Sequence, residues 1–315
     1  MTIAWVVGSG GLLGTALCRA LRGDGTELFS PAGPFSWQCE RDLSHQFAMA
    51  VDAFVARAGA ARRWEIYWAA GVATMSSPEA VLDAEARTLS IFLNSVRSAP
   101  FLMATPGAVA FSSSAGAIYA GSLDAIISEA TPPAPTTGYA RAKLRQEDMV
   151  RSFVHTNRRV SGVLARLSTL YGPGQSVGKQ QGLLSHVARC ILKNVPVQIY
   201  VPFDTIRDYI FSDDAAARIV AALRATIEHP GVHTAIIASE QPVTIAEIIA
   251  TYKRVARRAP RVVTSASRLS RLYPHRVRFC SAVAPGNASL QKTSLLIGIS
   301  QVMAAERLAL MGGGR

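Results

Sequence analysis

Ile3-Ala4-Trp5-Val6-Val7-Gly8-Ser9-Gly10-Gly11-Leu12-Leu13-Gly14 decides how this chain is read, because an apolar strand runs straight into three glycines, Gly8, Gly11 and Gly14, spaced three apart. Glycine lets a backbone turn tightly and lets the next helix pack close to the strand, while the free N–H groups at that helix's start face negative charge. The amphipathic run from Leu12 to Leu21 supplies such a helix. The arrangement predicts a turn that holds the pyrophosphate of a dinucleotide.

Composition agrees with that reading and excludes others. With 315 residues, nearly half of them apolar, the chain buries a large core as one big domain or two intimate ones. No continuous apolar run reaches the roughly 18 residues of a membrane span, and no basic flank precedes the short apolar start. A cytoplasmic protein without a membrane partner is expected. Cys18, Cys39, Cys190 and Cys280 are scattered, with no Cys-x-x-Cys pair and no histidine cluster, so neither a disulfide framework nor a metal site is indicated. The net charge of +12 includes nine cationic and no acidic residues between Lys253 and Arg278. Aromatic residues are not interleaved there as stacking platforms require, so a solvated arginine-rich surface is preferred over a nucleic-acid site.

Short apolar runs at 4–7, 27–29, 65–68, 108–111 and 162–165 alternate with helical patterns at 12–22, 46–63, 78–97 and 139–154. That alternation predicts an α/β fold, a Rossmann-type doubly wound parallel sheet with helices on both faces. Ligands bind beyond the carboxyl ends of such strands. Three of these ends stand out: Asp42-Leu43, Trp68-Ala69-Ala70-Gly71 and Ser112-Ser113-Ser114. Pro132-Pro133-Ala134-Pro135 then forms a stiff loop that delivers the chain into the helix at Tyr139. In that helix Tyr139 and Lys143 lie four residues apart on one face. A phenol of ordinary pKa near 10 is a poor base at neutral pH, and a nearby ammonium favours the tyrosinate. A serine at the neighbouring strand end would hold the substrate oxygen and share its proton.

Taken together, these motifs resemble the extended short-chain dehydrogenase/reductase family, the sugar-nucleotide epimerases and dehydratases. The resemblance rests on Gly8, Gly11 and Gly14, Asp42-Leu43, Trp68-Ala69-Ala70, Phe111 to Ser114, and Tyr139 with Lys143. It continues through Arg166, Leu170-Tyr171-Gly172-Pro173-Gly174, Arg207 to Asp214 and Val243 to Ile248. It implies Tyr139 as general acid/base, Lys143 as the residue that lowers its pKa and holds the nicotinamide ribose, and Ser114 as the hydroxyl that positions substrate, with Ser113 an alternative. Cofactor contacts are implied for Gly8, Gly11, Leu12, Leu13, Gly14, Arg41, Asp42, Leu43, Trp68, Ala69, Ala70, Ser112, Tyr139 and Lys143. Asp42 would accept from the adenine amino group. Substrate contacts are implied for Thr169, Lys179, Gln181 and Arg207, the last pairing with a diphosphate, whereas Asp214 would cap the helix that follows it.

The resemblance also implies a dinucleotide-binding domain over 1–170 that receives 201–238, and a small substrate lobe from 171–200 and 239–315. A homodimer through helices 78–97 and 139–154 is implied, with Leu89, Phe92, Leu144, Met149 and Phe153 suited either to that interface or to packing within one subunit. Two departures matter. Glu85-Ala86-Arg87-Thr88 replaces the family's asparagine pattern, and no acid follows Leu28-Phe29 to grip the adenosine ribose. The second departure leaves room for a 2′-phosphate near Arg41 and tips the cofactor slightly from NAD towards NADP.

The expected activity is epimerisation of a nucleotide-linked sugar through a transient ketone. The alternative is NADP-dependent reduction of a keto-sugar nucleotide, and a non-catalytic dinucleotide-binding scaffold or sensor is the reading of another class. Dehydration is disfavoured because Ala115-Gly116, not Asp-Glu, follows Ser114. The dual epimerase-reductases related to GDP-fucose synthase add a cysteine and a histidine; His186 is a candidate for the histidine, but no cysteine lies near Ser114, and a helix-start histidine without a role is preferred.

Overall fold

A computed structural model describes residues 2–175, 182–265, 277–282 and 292–312. The chain runs through β1 (Thr2–Val7), α1 (Leu12–Gly23), β2 (Glu27–Phe29), α2 (Glu40–Ala58), β3 (Arg63–Trp68), α3 (Glu79–Arg97) and α4 (Pro100–Ala104). It continues with β4 (Gly107–Ser114), α5 (Ala115–Ile118), α6 (Gly138–His155), β5 (Val160–Leu167), β6 (Thr169–Tyr171), α7 (Leu183–Lys193) and β7 (Val197–Ile199). The remainder is β8 (Ile206–Phe211), α8 (Ser212–Ala225), β9 (Val232–Ile237), β10 (Pro242–Thr244), α9 (Ile245–Ala256), β11 (Val262–Thr264) and α10 (Leu295–Gly312).

Six strands form a parallel sheet in the order β2-β1-β3-β4-β5-β9, the doubly wound arrangement that the strand-helix alternation predicts. Successive side chains of β1 go to opposite faces. Ile3, Trp5 and Val7 pack on one face of the sheet, and Ala4 and Val6 on the other. The two faces differ in bulk. One packs Trp5, Phe29, Phe47, Phe54, Trp68 and Phe92 against one another beneath α2 and α3, with ring centroids 5.0–6.4 Å apart. The other presents small residues, among them Ala4, Ala108, Ala110 and Ala165, so that α1 and α8 lie close on the sheet.

A second core, built on Tyr171, Val187, Tyr209, Ile248 and Val302, is enclosed by α7, α9, α10 and the short strands β6, β7, β8, β10 and β11. The three-stranded sheet β10-β8-β6 aligns Thr169 with Tyr209, and Val243 with Arg207. Thus α8 and β9 belong to the main sheet, while β7 and β8 pair in the smaller sheets, β8 doing so from within 201–238.

One expectation is corrected by the packing, and two others are narrowed. Asp42-Leu43 does not close a strand. Both residues lie in the first turn of α2, because residues 33–39 form no strand that would end there. The apolar side chains Leu89, Phe92 and Phe153 are buried against the sheet and are spent within the subunit. The outer surface of α3 and α6 instead carries Arg145 paired with Glu79 and Asp83. Finally, among the described residues, α10 is long and apolar enough to cross a membrane by length and composition. Its Ile299, Val302 and Met303 are nonetheless buried in the second core, and its Glu306 pairs with Arg189 of α7. All four cysteines are free, and no group of metal-ligating side chains occurs among the described residues. The described part of the basic stretch, including Lys253, Arg254, Arg257, Arg258 and Arg261, is exposed.

Candidate active site

The glycine turn is built where backbone meets backbone. Gly8 has φ +87°, and a Cβ on it would sit 2.6 Å from Ala70 N. A Cβ on Gly14 would sit 2.1 Å from the Gly8 carbonyl oxygen. The turn closes through Gly11 N–H donating to Gly8 O (3.1 Å), and Ala69 N–H donating to Val7 O (2.9 Å) ties the end of β3 to the end of β1. Helix α1 starts behind Gly11 with no side-chain cap. Its first amides, which have no partner within the helix, are left to an anionic group. This bare cradle fits a dinucleotide pyrophosphate. Leu13 is buried in the core below it, and Leu12 approaches Gly172.

At the far end of β4, strand alternation separates the three serines. The Ser113 hydroxyl, buried, donates to Glu147 Oε1 at 2.7 Å, and Glu147 is held by Arg166 through two hydrogen bonds of 2.9 and 2.6 Å. Arg166 in turn donates to the Tyr119 hydroxyl at 2.5 Å. Ser114 takes the other side, towards Tyr139, where its hydroxyl favours the tyrosinate. Of the two candidate serines, the geometry therefore puts Ser114 with Tyr139 and gives Ser113 to a buried ion-pair network. Helix α6 carries Tyr139 and Lys143 from a start capped by Thr137, whose hydroxyl accepts from Ala140 N–H at 3.2 Å. Lys143 Nζ lies 5.7 Å from the centre of the Tyr139 ring and 5.3 Å from that of Phe111.

The electrostatics of this group differ from expectation. Burial pushes the Tyr139 phenol well above the ordinary tyrosine range, the negative charge of Glu85 pushes it further, and the Ser114 hydroxyl only partly opposes them. Burial also lowers the Lys143 ammonium, against the pull of Glu85 and Glu147. Lys143 Nζ is 4.0 Å from Glu85 Oε2. Within the chain itself the expected pull of Lys143 towards tyrosinate is outweighed by burial and by a carboxylate beside the ammonium. In the sequence Glu85 shows only as part of the lost asparagine pattern, with nothing local to mark it as a neighbour of the site.

The other expected residues fall into three groups. Ala69 and Ala70 border the glycine turn, and Ser112 is half-buried on β4. Trp68 and Leu43 send their side chains into the aromatic core, so only their backbone remains for a ligand. Arg41 and Asp42 are exposed on the first turn of α2, where neighbouring Glu40 pairs with Arg87. Thr169 is exposed on β6 and Arg207 half-buried on β8, adjacent strands of one small sheet. Lys179 and Gln181 lie outside the described residues. Asp214 does not cap α8; its carboxylate accepts from the N–H (2.7 Å) and hydroxyl (2.8 Å) of Thr293. His186, lowered by burial, sits 3.6 Å from Cys190 one turn along α7.

The sequence profile of the NAD-dependent epimerase/dehydratase family matches residues 4–236. The chain belongs to that family. Among family relatives, a dTDP-4-dehydro-6-deoxyglucose reductase of Escherichia coli is 29% identical over 45% of this chain and 44% of its own length. A dTDP-L-rhamnose 4-epimerase of Burkholderia thailandensis is 33% identical over 30% of this chain and 26% of its own. The matched stretches thus span less than half of either relative. The crystal structure of a UDP-glucose 4-epimerase from Thermus thermophilus, in complex with NAD, superposes with a TM-score of 0.77 at 19% identity, covering 98% of this chain and 99% of that one. It shares the extended fold of the family, sheet and second core together.

Proposed function

We propose that this chain catalyses NAD(P)-dependent hydride transfer at a carbon of a nucleotide-linked sugar, with Tyr139 as the group that gives or takes the coupled proton. The observation that carries this reading is the meeting of Ser114, Tyr139 and Lys143 at the carboxyl ends of the parallel sheet that also carries the bare glycine cradle. The nicotinamide, when bound, supplies or accepts the hydride. Gly8, Gly11, Gly14, Ala69 and Ala70 would hold the dinucleotide backbone, and Lys143 its nicotinamide ribose. No carboxylate follows Phe29 at the end of β2, where Ser30, Pro31 and Ala32 stand, and this favours NADP over NAD. The second core, with Thr169 and Arg207 on adjacent strands, is the proposed substrate lobe, Arg207 facing a diphosphate.

Two outcomes share this site. A ketone formed, turned and reduced on its other face makes an epimerase, the outcome that the family motifs favour. A ketone that arrives from outside makes a reductase. The homodimer expected from the family would use the polar outer face of α3 and α6.

Mass spectrometry of what the purified chain releases on denaturation identifies the retained cofactor. Incubation with dTDP-, UDP- and GDP-linked keto sugars then separates net oxidation of NAD(P)H from interconversion of epimers. Tyr139→Phe should lower turnover by roughly 10²–10⁴-fold while leaving cofactor binding intact. A wild-type chain that binds cofactor and turns over no sugar nucleotide would be a scaffold or sensor, and the proposal would fall.

A further inference from the structure

Glu85 stands in the second turn of α3 with only 14% of its side chain exposed. Its Oε1 accepts the backbone N–H groups of both Val72 and Ala73, in the segment that leaves β3 just beyond the Ala70 that touches Gly8. The same segment passes close above it, for a Cβ on Gly71 would lie 3.4 Å from Oε1. Its Oε2 faces Lys143 Nζ at 4.0 Å. A carboxylate gripped by two amides is not a solvated surface charge, and a buried charge persists where it is paired and hydrogen-bonded.

The charged and titratable groups around it are few. Helix α6 contributes Tyr139, Lys143 and Glu147, and β4 contributes the Ser114 hydroxyl. Glu147 is already engaged by Arg166, with Arg151 at 3.9 Å. At the outer end of α3, Glu79 and Asp83 share the exposed Arg145. The charge that Lys143 shows to Tyr139 is therefore set chiefly by Glu85.

We propose that Glu85 is a positioning residue of this site: clamped by the amides of Val72 and Ala73, it holds the Lys143 ammonium and offsets its charge, so that Lys143 draws Tyr139 towards tyrosinate less than a free ammonium would. The inference rests on the hydride-transfer reading above, whose reductive direction is the reduction of a keto group. In that reaction the phenol O–H breaks and its proton goes to the carbonyl oxygen. The carbon takes the hydride from the reduced nicotinamide, the C=O bond becomes C–OH, and the cofactor leaves oxidised. A carboxylate that merely pins Val72 and Ala73 must be told from one that sets the charge at Lys143.

Glu85→Gln does so, because its amide oxygen still accepts from both backbone N–H groups while the charge is gone. Calorimetry on the full chain should show the dissociation constant of the oxidised, cationic cofactor rising about tenfold relative to that of the reduced form. The pH at which alcohol oxidation sets in should move to lower pH by about one unit, as removal of a like charge beside a phenol requires. Glu85→Asp keeps the charge and should restore most of both effects. If Glu85→Gln weakens both cofactor forms equally, lowers the melting temperature and leaves the pH profile in place, the carboxylate only pins the loop and the proposal is overturned. Should Glu85→Gln fail to fold, Glu85→Asp, with its carboxylate one methylene further from Lys143, must show a smaller change in the same direction, and no change would overturn it. The binding ratio needs no sugar substrate, so a chain without turnover contradicts the hydride-transfer reading while the ratio still decides whether Glu85 sets the charge at Lys143.

Discussion

At position 14 a single methyl group decides whether the turn can form. A Cβ there would lie 2.1 Å from the Gly8 carbonyl, a backbone atom that cannot swing aside, whereas a Cβ on Gly10 meets nothing within 4 Å. Gly14→Ala should therefore cost about 1–3 kcal/mol and reduce cofactor affinity. Gly10→Ala should stay within about 0.5 kcal/mol of wild type. Paired thermal melts and cofactor titrations check both, and equal effects would refute the close-approach argument. These glycines are legible in the sequence because their spacing is itself the mechanism, and so are Tyr139 and Lys143, one helical turn apart. Glu85 is not. A carboxylate in an amphipathic helix reads as a solvated residue, and only the fold brings Val72, Ala73 and Lys143 around it. Ser113 and Ser114 are likewise interchangeable in sequence until the strand turns one towards Glu147 and the other towards Tyr139.

Among the elements, those with a clear apolar period are legible nearly to the residue. The helix expected over 78–97 spans Glu79–Arg97, and the strand expected over 65–68 lies within Arg63–Trp68. Helix α2, expected over 46–63, instead spans Glu40–Ala58, its first turn carrying the acidic Glu40 and Asp42 that suit a helix start but add little to an apolar pattern. The strands of the sheet centre run longer than their apolar cores, since β4 continues through three serines. Pairing with β5 extends to Ser114 and Leu167, and backbone hydrogen bonds do not depend on apolar side chains. The three-residue strands β6, β7, β10 and β11 carry no period that a sequence could show and exist because partners align them. Helix α6 couples element to chemistry, for its Thr137 cap sets the start from which Tyr139 and Lys143 project. Thr137→Ala should cost about 1 kcal/mol, visible as a lowered melting temperature, and should reduce turnover more than cofactor affinity. A variant of lower melting temperature with wild-type turnover would show that packing alone positions the helix.

Among the described residues apolar contact divides into a main-sheet body, with a small cluster around Tyr119 and Phe279 beside it, and a C-terminal body that is the harder to foresee. Its residues come from 171–211 and from 245–303, brought together over distances that no local pattern records. The last helix closes it. Gly298 of α10 lies so near Tyr171 that a Cβ would stand 2.2 Å from the phenol oxygen, and Glu306 reaches Arg189 at 3.0 Å with both side chains largely buried. A buried pair that loses one member leaves the other charge uncompensated, at a cost of about 3–5 kcal/mol. Because α10 packs chiefly on α7 and α9, that loss should fall mainly on one body. Hydrogen exchange of Glu306→Ala should accelerate in α7, α9 and α10 while the amides of β1, β3, β4 and β5 keep their protection. Uniform acceleration through both bodies would mean that they unfold as one cooperative unit, with the substrate-side helices as essential to the dinucleotide sheet as its own strands.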